Sequence, residues 1–333
     1  NQIPSGAFAN NKNVTKIALN DSITSIGDYA FQNNTIKDFA IPNYVETLGK
    51  YAFYNCKNLQ EVFIPNSVTA IGAYAFYSCN GITKLNISEN VATIGDYAFY
   101  GCSNLTVLNI PNKVESINRY AFANCTGISK INIPDSVTYL GYNAFENCKG
   151  VKSLNIGSGI SAIYTETFKN CSGLTSVEIP KTVFSIGQSA FEGCNNVTEI
   201  TLPFVGTGRS ATGYTSNFGY IFGYTEDDAH TDSSCNLKVG DVYSKQAGCS
   251  YNNEVYYVYQ INGNTRYYRY YDYKTPSSIK TVTITDANQI PSGAFANNKN
   301  VTKIVLNDGV TSIGDYAFQN NPWYNNLTDE FVT

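Results

Sequence analysis

An Ala-Phe pair returns along this chain at a nearly fixed period, and that period restricts the fold more than any other property. Phe8, Phe31, Phe53, Phe76, Phe99, Phe122, Phe145, Phe168 and Phe191 follow one another at 23 residues, with one interval of 22, and Phe295 and Phe318 resume the series. (Thr167 replaces the alanine in the eighth copy.) A unit this short cannot bury an apolar face alone, so stacked copies have to cover one another. Within one unit, Leu59, Val62 and Ile64 give the period-two signature of a strand with one buried face. Pro65 ends that strand because it has no N–H for a ladder. Val68 and Ile71 form a second apolar pair, Gly72 permits a turn, and Tyr74-Ala75-Phe76 reads as one helical turn that drops the phenylalanine inward.

The expected fold is therefore an α/β leucine-rich repeat solenoid, a horseshoe with one parallel strand per repeat and about 4.8 Å between neighbouring strands. Its boundaries are a nine-repeat block over 1–203, an insertion over 204–277, and resumed repeats with a C-terminal segment over 278–333. The string running from Ile71 through Tyr74-Ala75-Phe76, Cys79, Ile82, Leu85 and Ile87, and again from Ile94 to Ile110, resembles the BspA-like, or Treponema-type, leucine-rich repeat family. The resemblance spans all the repeats. It implies an exported or cell-surface protein, since members of that family are typically exported and some are adhesins.

Composition removes several functions. Twenty-two basic against 26 acidic side chains leave a net charge of −4, without the basic field a polyanion requires, so no nucleic acid is expected as partner. A single histidine, His230, excludes His-based metal clusters, Ser-His-Asp triads and Cys-His dyads. No apolar run approaches a membrane span. Methionine is absent, so the chain is expected to be processed or a piece of a longer one.

Cys56, Cys79, Cys102, Cys125, Cys148, Cys171 and Cys194 sit three residues after successive phenylalanines, where outer repeats carry Asn11, Asn34, Asn298 and Asn321. Stacked parallel Cβ atoms would stand near 4.8 Å, against about 3.8 Å for a disulfide, so buried free thiols are expected. Tyr29, Tyr51, Tyr74, Tyr97 and Tyr120 make another row, read mainly as a cover for the convex edge. On the concave strands, Asn86, Asn109, Asn132 and Asn155 read as an amide ladder. The column running Lys16, Asp38, Glu61, Lys84, Val107, Lys130, Ser153, Ser176, Glu199 varies without a packing reason. Lys84, Val107, Lys130, Asn109 and Asn132 are thus candidates for a binding surface.

In the insertion, Asn262-Gly263 between two tyrosine-rich runs signals a β-hairpin. Tyr257, Tyr259, Tyr268 and Tyr270 are its candidate contact residues, since aromatic side chains dominate binding hot spots. Cys235 and Cys249 stand outside the ladder and are expected to form a disulfide in an exported protein. The acidic stretch Glu226, Asp227, Asp228, His230, Asp232 lacks the order of a calcium loop and reads as solvated. Residues 1–34 recur as 288–321 except at 18/305, 22/309 and 23/310, a mark of duplication. The preferred function is a non-enzymatic surface protein, without cofactor or metal, that binds a macromolecule by adhesion. A carbohydrate- or cell-wall-binding module and a structural spacer are the alternatives.

Overall fold

The computed structural model describes residues 1–225, 257–261, 264–268 and 272–322. They fall into two compact units, one formed by the chain up to Gly223 and from Thr275 onward, the other by Tyr224–Lys274.

The larger unit is a parallel β-solenoid in which most coils carry two short strands rather than the single one expected. The first ladder joins seven consecutive two-residue strands, from Gln2–Ile3 through Thr93–Ile94 and Ser116–Ile117 to Tyr139–Leu140. The apolar pair around Ile71 is thus itself a strand, with Ile71 facing inward. The second ladder is the one the alternation signalled: Glu61 and Phe63 are exposed around buried Val62. It comes in sections, Glu61–Phe63 with Lys84–Asn86, Lys130–Ile133 with Ser153–Ile156, and Ser176–Glu178 through Glu199–Leu202 and Thr281–Ile284 to Lys303–Val305. Pro65 ends its strand as expected, and its carbonyl accepts the Val68 N–H in the turn between the two strands.

The third side of each coil departs from the expected helical turn. Consecutive turns occupy it, and Tyr74 and Ser78 adopt left-handed φ of 59° and 56°. Hydrogen bonding explains the preference. Ala75, Tyr77 and Cys79 donate within the coil, to the carbonyls of Gly72, Tyr74 and Phe76, while Tyr74, Phe76 and Ser78 donate to Asp96, Ala98 and Tyr100 of the next coil. An α-helical turn would direct its N–H groups along its own axis and leave none for the neighbour. The left-handed tyrosines cost about 1–2 kcal/mol each, offset by a ladder that closes at every coil. Among the described residues the helical segments are two 3-10 stretches, Gly213–Ser216 and Phe218–Phe222.

The phenylalanines stack along the solenoid with centroids 5.0 to 5.9 Å apart, and Phe31 through Phe191 are fully buried. The cysteine row has a role that hydrophobicity alone did not suggest. Each thiol points at the phenylalanine carbonyl of the preceding coil: Cys79 Sγ lies 2.9 Å from Phe53 O, and Cys125 Sγ lies 3.1 Å from Phe99 O. Asn34 and Asn321 send their amide Nδ2 to the same acceptor, Phe8 O and Phe295 O, at 3.1 and 3.0 Å. The position therefore demands a small donor, and both residue types supply one.

The solenoid crosses the insertion without a gap. Glu199–Leu202 pairs directly with Thr281–Ile284, although about 80 residues separate them. On the turn side, residues 218–222 stand in for a missing coil. Phe191 N–H donates to Ile221 O, and Phe218 N–H donates to Ala294 O. Phe204, Phe218, Ile221 and Phe222 are buried in the same core as the repeats. Arg209 clasps this adaptor, donating to the Asp286 carboxylate and carbonyl and to Lys181 O, with its guanidinium over the Phe204 ring. In the smaller unit, Tyr257–Ile261 pairs antiparallel with Asn264–Tyr268, and Tyr224–Thr225 with Asp272–Tyr273.

Candidate functional site

Pleating sends alternate residues of the second ladder to solvent, and it brings the expected binding residues of the repeats onto one face. Lys84, Asn109, Lys130 and Asn132 are exposed there, and Val107 keeps 61% of its surface in water. Their surroundings are less uniform than a bare column suggests. Lys84 Nζ lies 3.7 Å from Glu61 and 4.9 Å above the ring of Phe63, an exposed phenylalanine at the head of the asparagine column. With both ionic groups more than half exposed, that pair contributes little to stability. The ladder lapses at the Val107 coil, whose neighbours Lys84–Asn86 and Lys130–Ile133 are strands.

The expected amide ladder closes at one rung on this face, where Asn155 Nδ2 donates to Asn132 Oδ1 at 2.7 Å. A longer amide series lies on the turn side, at the residue before the cysteine or the asparagine that replaces it. Asn33 donates to Asn10, Asn55 to Asn33, Asn170 to Asn147 and Asn320 to Asn297, all at 2.8–2.9 Å. Those asparagines have φ of 55° to 63°, and asparagine is among the residues that tolerate this region.

The tyrosine row at 29, 51, 74, 97 and 120 is stacked nearly face to face, with centroids 4.6 to 4.8 Å apart. A second row, Tyr54, Tyr77 and Tyr100, was not singled out from the sequence although it keeps the period of the repeat. It stacks at 4.9 and 4.7 Å and leans on the first row at 5.6 to 5.7 Å. Burial, and then the neighbouring phenols, raise the pKa of Tyr74 and Tyr77, so these hydroxyls remain neutral at physiological pH. The rings spend their faces on one another and offer solvent their edges and hydroxyls.

The ladder thiols are free and buried. Burial pushes Cys79, Cys102, Cys148 and Cys171 well above the ordinary thiol range, and Cys194 up to about 12. A thiol-specific reagent should therefore find the ladder unreactive in native protein and fully reactive after denaturation. Rapid native labelling of several thiols would contradict the burial.

Within the smaller unit, the register sets Tyr257 opposite Tyr268 and Tyr259 opposite Arg266. Tyr270, Asn262-Gly263, the Cys235/Cys249 pair and the Glu226–Asp232 stretch lie outside the described residues. Among the described residues, no group of His, Cys, Asp and Glu is arranged to hold a metal, and no helix is long and apolar enough to cross a membrane.

Comparison with known proteins adds a family. Residues 1–106, 92–209 and 249–328 match the family described as the BspA type leucine rich repeat region, in six copies. Solved structures similar to this chain include a leucine-rich repeat protein of Bacteroides ovatus (20% identity over 83% of this chain and 68% of that one, TM-score 0.42). Another is the T. pallidum leucine rich repeat protein (24%, 52% and 78%, TM-score 0.44). A third is a leucine rich cell surface protein of Faecalibacterium prausnitzii (23%, 60% and 76%, TM-score 0.31). No curated protein matches the chain.

Proposed function

Because the chain belongs to the BspA-type leucine-rich repeat family, we propose that it is a non-enzymatic binding protein, exported or held at a cell surface, that engages a macromolecular partner in adhesion. The observation that supports this reading is the solvent face of the second ladder. There a rigid scaffold presents Phe63, Val107, Lys130, Asn109 and Asn132 to solvent. Exposed apolar residues among polar ones on a fixed frame suit recognition of a protein surface. A separate contact set is proposed on the smaller unit, at Tyr257, Tyr259, Tyr268 and Tyr270, with a disulfide between Cys235 and Cys249 as the staple of that unit.

The carbohydrate reading draws less from the tyrosine rows than their number suggests, because the interior rings are covered on both faces by their neighbours. A stacking ligand needs a free face.

Protein and glycan arrays probed with the whole chain test the proposal. Protein ligands are expected, and Val107→Asp combined with Lys130→Glu should weaken the best of them by at least 1–2 kcal/mol. The unfolding midpoint of the same variant should barely move, since neither side chain packs. Glycan ligands alone would favour the carbohydrate reading, and binding indifferent to both substitutions would move the site off this face.

A further inference from the structure

The coils are not equally joined. Between the coil of Phe145 and the coil of Phe168, both strand ladders stop together. The seven-stranded ladder ends at Tyr139–Leu140, and Ala162–Ile163 pairs only onward, with Ser185–Ile186. In the second ladder Ser153–Ile156 pairs backward with Lys130–Ile133, and Ser176–Glu178 pairs onward with Glu199–Leu202. Elsewhere among the described coils, where one ladder lapses the other continues, as it does at Val107 and across the insertion. The phenylalanine stack widens at the same boundary, to 5.9 Å between Phe145 and Phe168, against 5.0 to 5.5 Å elsewhere in the nine-coil run.

The corner beside the first lapse also differs from the others in sequence. Gly157 occupies a corner held in other coils by Asn20, Pro42, Pro65, Ser88, Pro111, Pro134, Pro180 and Asn307. A Cβ at Gly157 or Gly159 would stand closer to the backbone of Pro134 or Asp135 than the 3.0 Å that real Cβ atoms respect. Ser158 ties this pinched corner by donating to Asp135 Oδ1 from its N–H and hydroxyl. Away from the corner, Tyr164 stands where neighbouring coils carry Gly141 and Gly187. Asn118 shares that position and leaves the first ladder closed, so the extra Cβ alone does not part the coils. The strand pair before this corner, Lys130–Ile133 with Ser153–Ile156, keeps full register, and the first ladder lapses directly after it, between Tyr139–Leu140 and Ala162–Ile163.

Turn-side contacts keep the boundary together. Phe145 N–H donates to Thr167 O at 2.9 Å, and Asn147 N–H to Lys169 O at 2.7 Å. Beside them a polar cluster spans three coils: Asn143 Nδ2 donates to Glu146 and Glu166, and Lys169 Nζ lies 2.5 Å from Glu166 and 3.4 Å from Glu192.

We propose that this boundary is a built-in joint, at which the coils up to Phe145 and those from Phe168 onward flex and open as separate blocks, with the Asn143–Glu166 hydrogen bond, the side-chain contact of that cluster that crosses it, as the clasp. Stability in a solenoid is a sum of nearest-neighbour interfaces, so one weak interface localises opening. The proposal is independent of any ligand. It places Lys84, Val107 and Lys130 on one block and the adaptor segment 204–223 on the other.

Hydrogen exchange on the whole chain tests it. Strand amides in 160–166, corrected for intrinsic rates, should exchange at least tenfold faster than the equivalent amides in 114–120 and in 183–189. Asn143→Ser, which installs the residue type carried at the equivalent position by Ser189, should speed the first set further, severalfold, and leave 114–120 unchanged. Equal protection of all three segments would overturn the joint. Seam rates unmoved by Asn143→Ser would overturn the clasp.

Discussion

Truncating Phe122 to alanine is expected to cost about 3–5 kcal/mol, the range for removing a buried aromatic from a packed core. The ring is fully buried and stacked between Phe99 at 5.3 Å and Phe145 at 5.5 Å, so a cavity there has neighbours on both sides that cannot close in without leaving their own coils. The backbone of the same residue donates to Ala144 O, and its carbonyl receives the Cys148 thiol at 3.2 Å. A shift of the residue would therefore loosen two coils. Urea denaturation followed by circular dichroism measures the loss. A value below about 1 kcal/mol would show that the phenylalanine row is not what holds the solenoid together.

The second large effect concerns where the insertion can be cut. Excising 224–274 and joining the ends by a short linker should leave the unfolding of the solenoid nearly unchanged, because that segment forms its own compact unit. Excising 204–277 should instead unfold the coils beyond the insertion. Glu199–Leu202 and Thr281–Ile284 are parallel neighbours, and a parallel connection needs a dozen or more residues to return to its starting level. The larger cut also removes Phe204, Phe218 and Phe222 and strips the partners from Phe191 N–H and Ala294 O. Amide protection at Phe295 and Val301 is the readout. If it survives the larger cut, the adaptor segment is dispensable and the resumed coils stand on their strands alone.

The solenoid was legible because its signals are redundant. Val62 and Ile64 alternate with exposed residues, Pro65 closes the strand, and Phe76 recurs with its coil. What stayed hidden was backbone conformation. Nothing about a tyrosine announces a left-handed φ, and Tyr74 adopts one only because the next coil accepts its N–H. The asparagine before four of the seven ladder cysteines was the available clue, since Asn55, Asn124, Asn147 and Asn170 are of a type that tolerates that region. The Tyr54, Tyr77, Tyr100 row kept the period but occupied three coils, too few to stand out. Segment 204–223 escaped for the opposite reason. It fills a coil's place without a coil's sequence, so no periodicity marks Ile221 as a substitute alanine. On the binding face, Lys84 and Val107 were placed correctly on the exposed side, but the partnership of Lys84 with Glu61 and Phe63 depends on a neighbour one coil away. Sequence spacing gives no measure of that contact.

The thiol and amide donors aimed at the preceding phenylalanine carbonyl have a consequence for how such a chain changes over generations. Each coil brings one outgoing donor and one waiting acceptor, so a coil copied into the middle of the array finds its backward partner ready and offers the same acceptor to whatever follows. Recombination between misaligned coils can then lengthen or shorten the gene in whole units without leaving an orphaned polar group in the interior. The near-identity of residues 1–34 and 288–321 is the kind of trace such an exchange leaves. Asn34 and Asn321, in those two segments, donate to Phe8 and Phe295 as the cysteines between them do to theirs. Natural variation in this lineage should therefore appear as differences in coil number more often than as drift at the donor position.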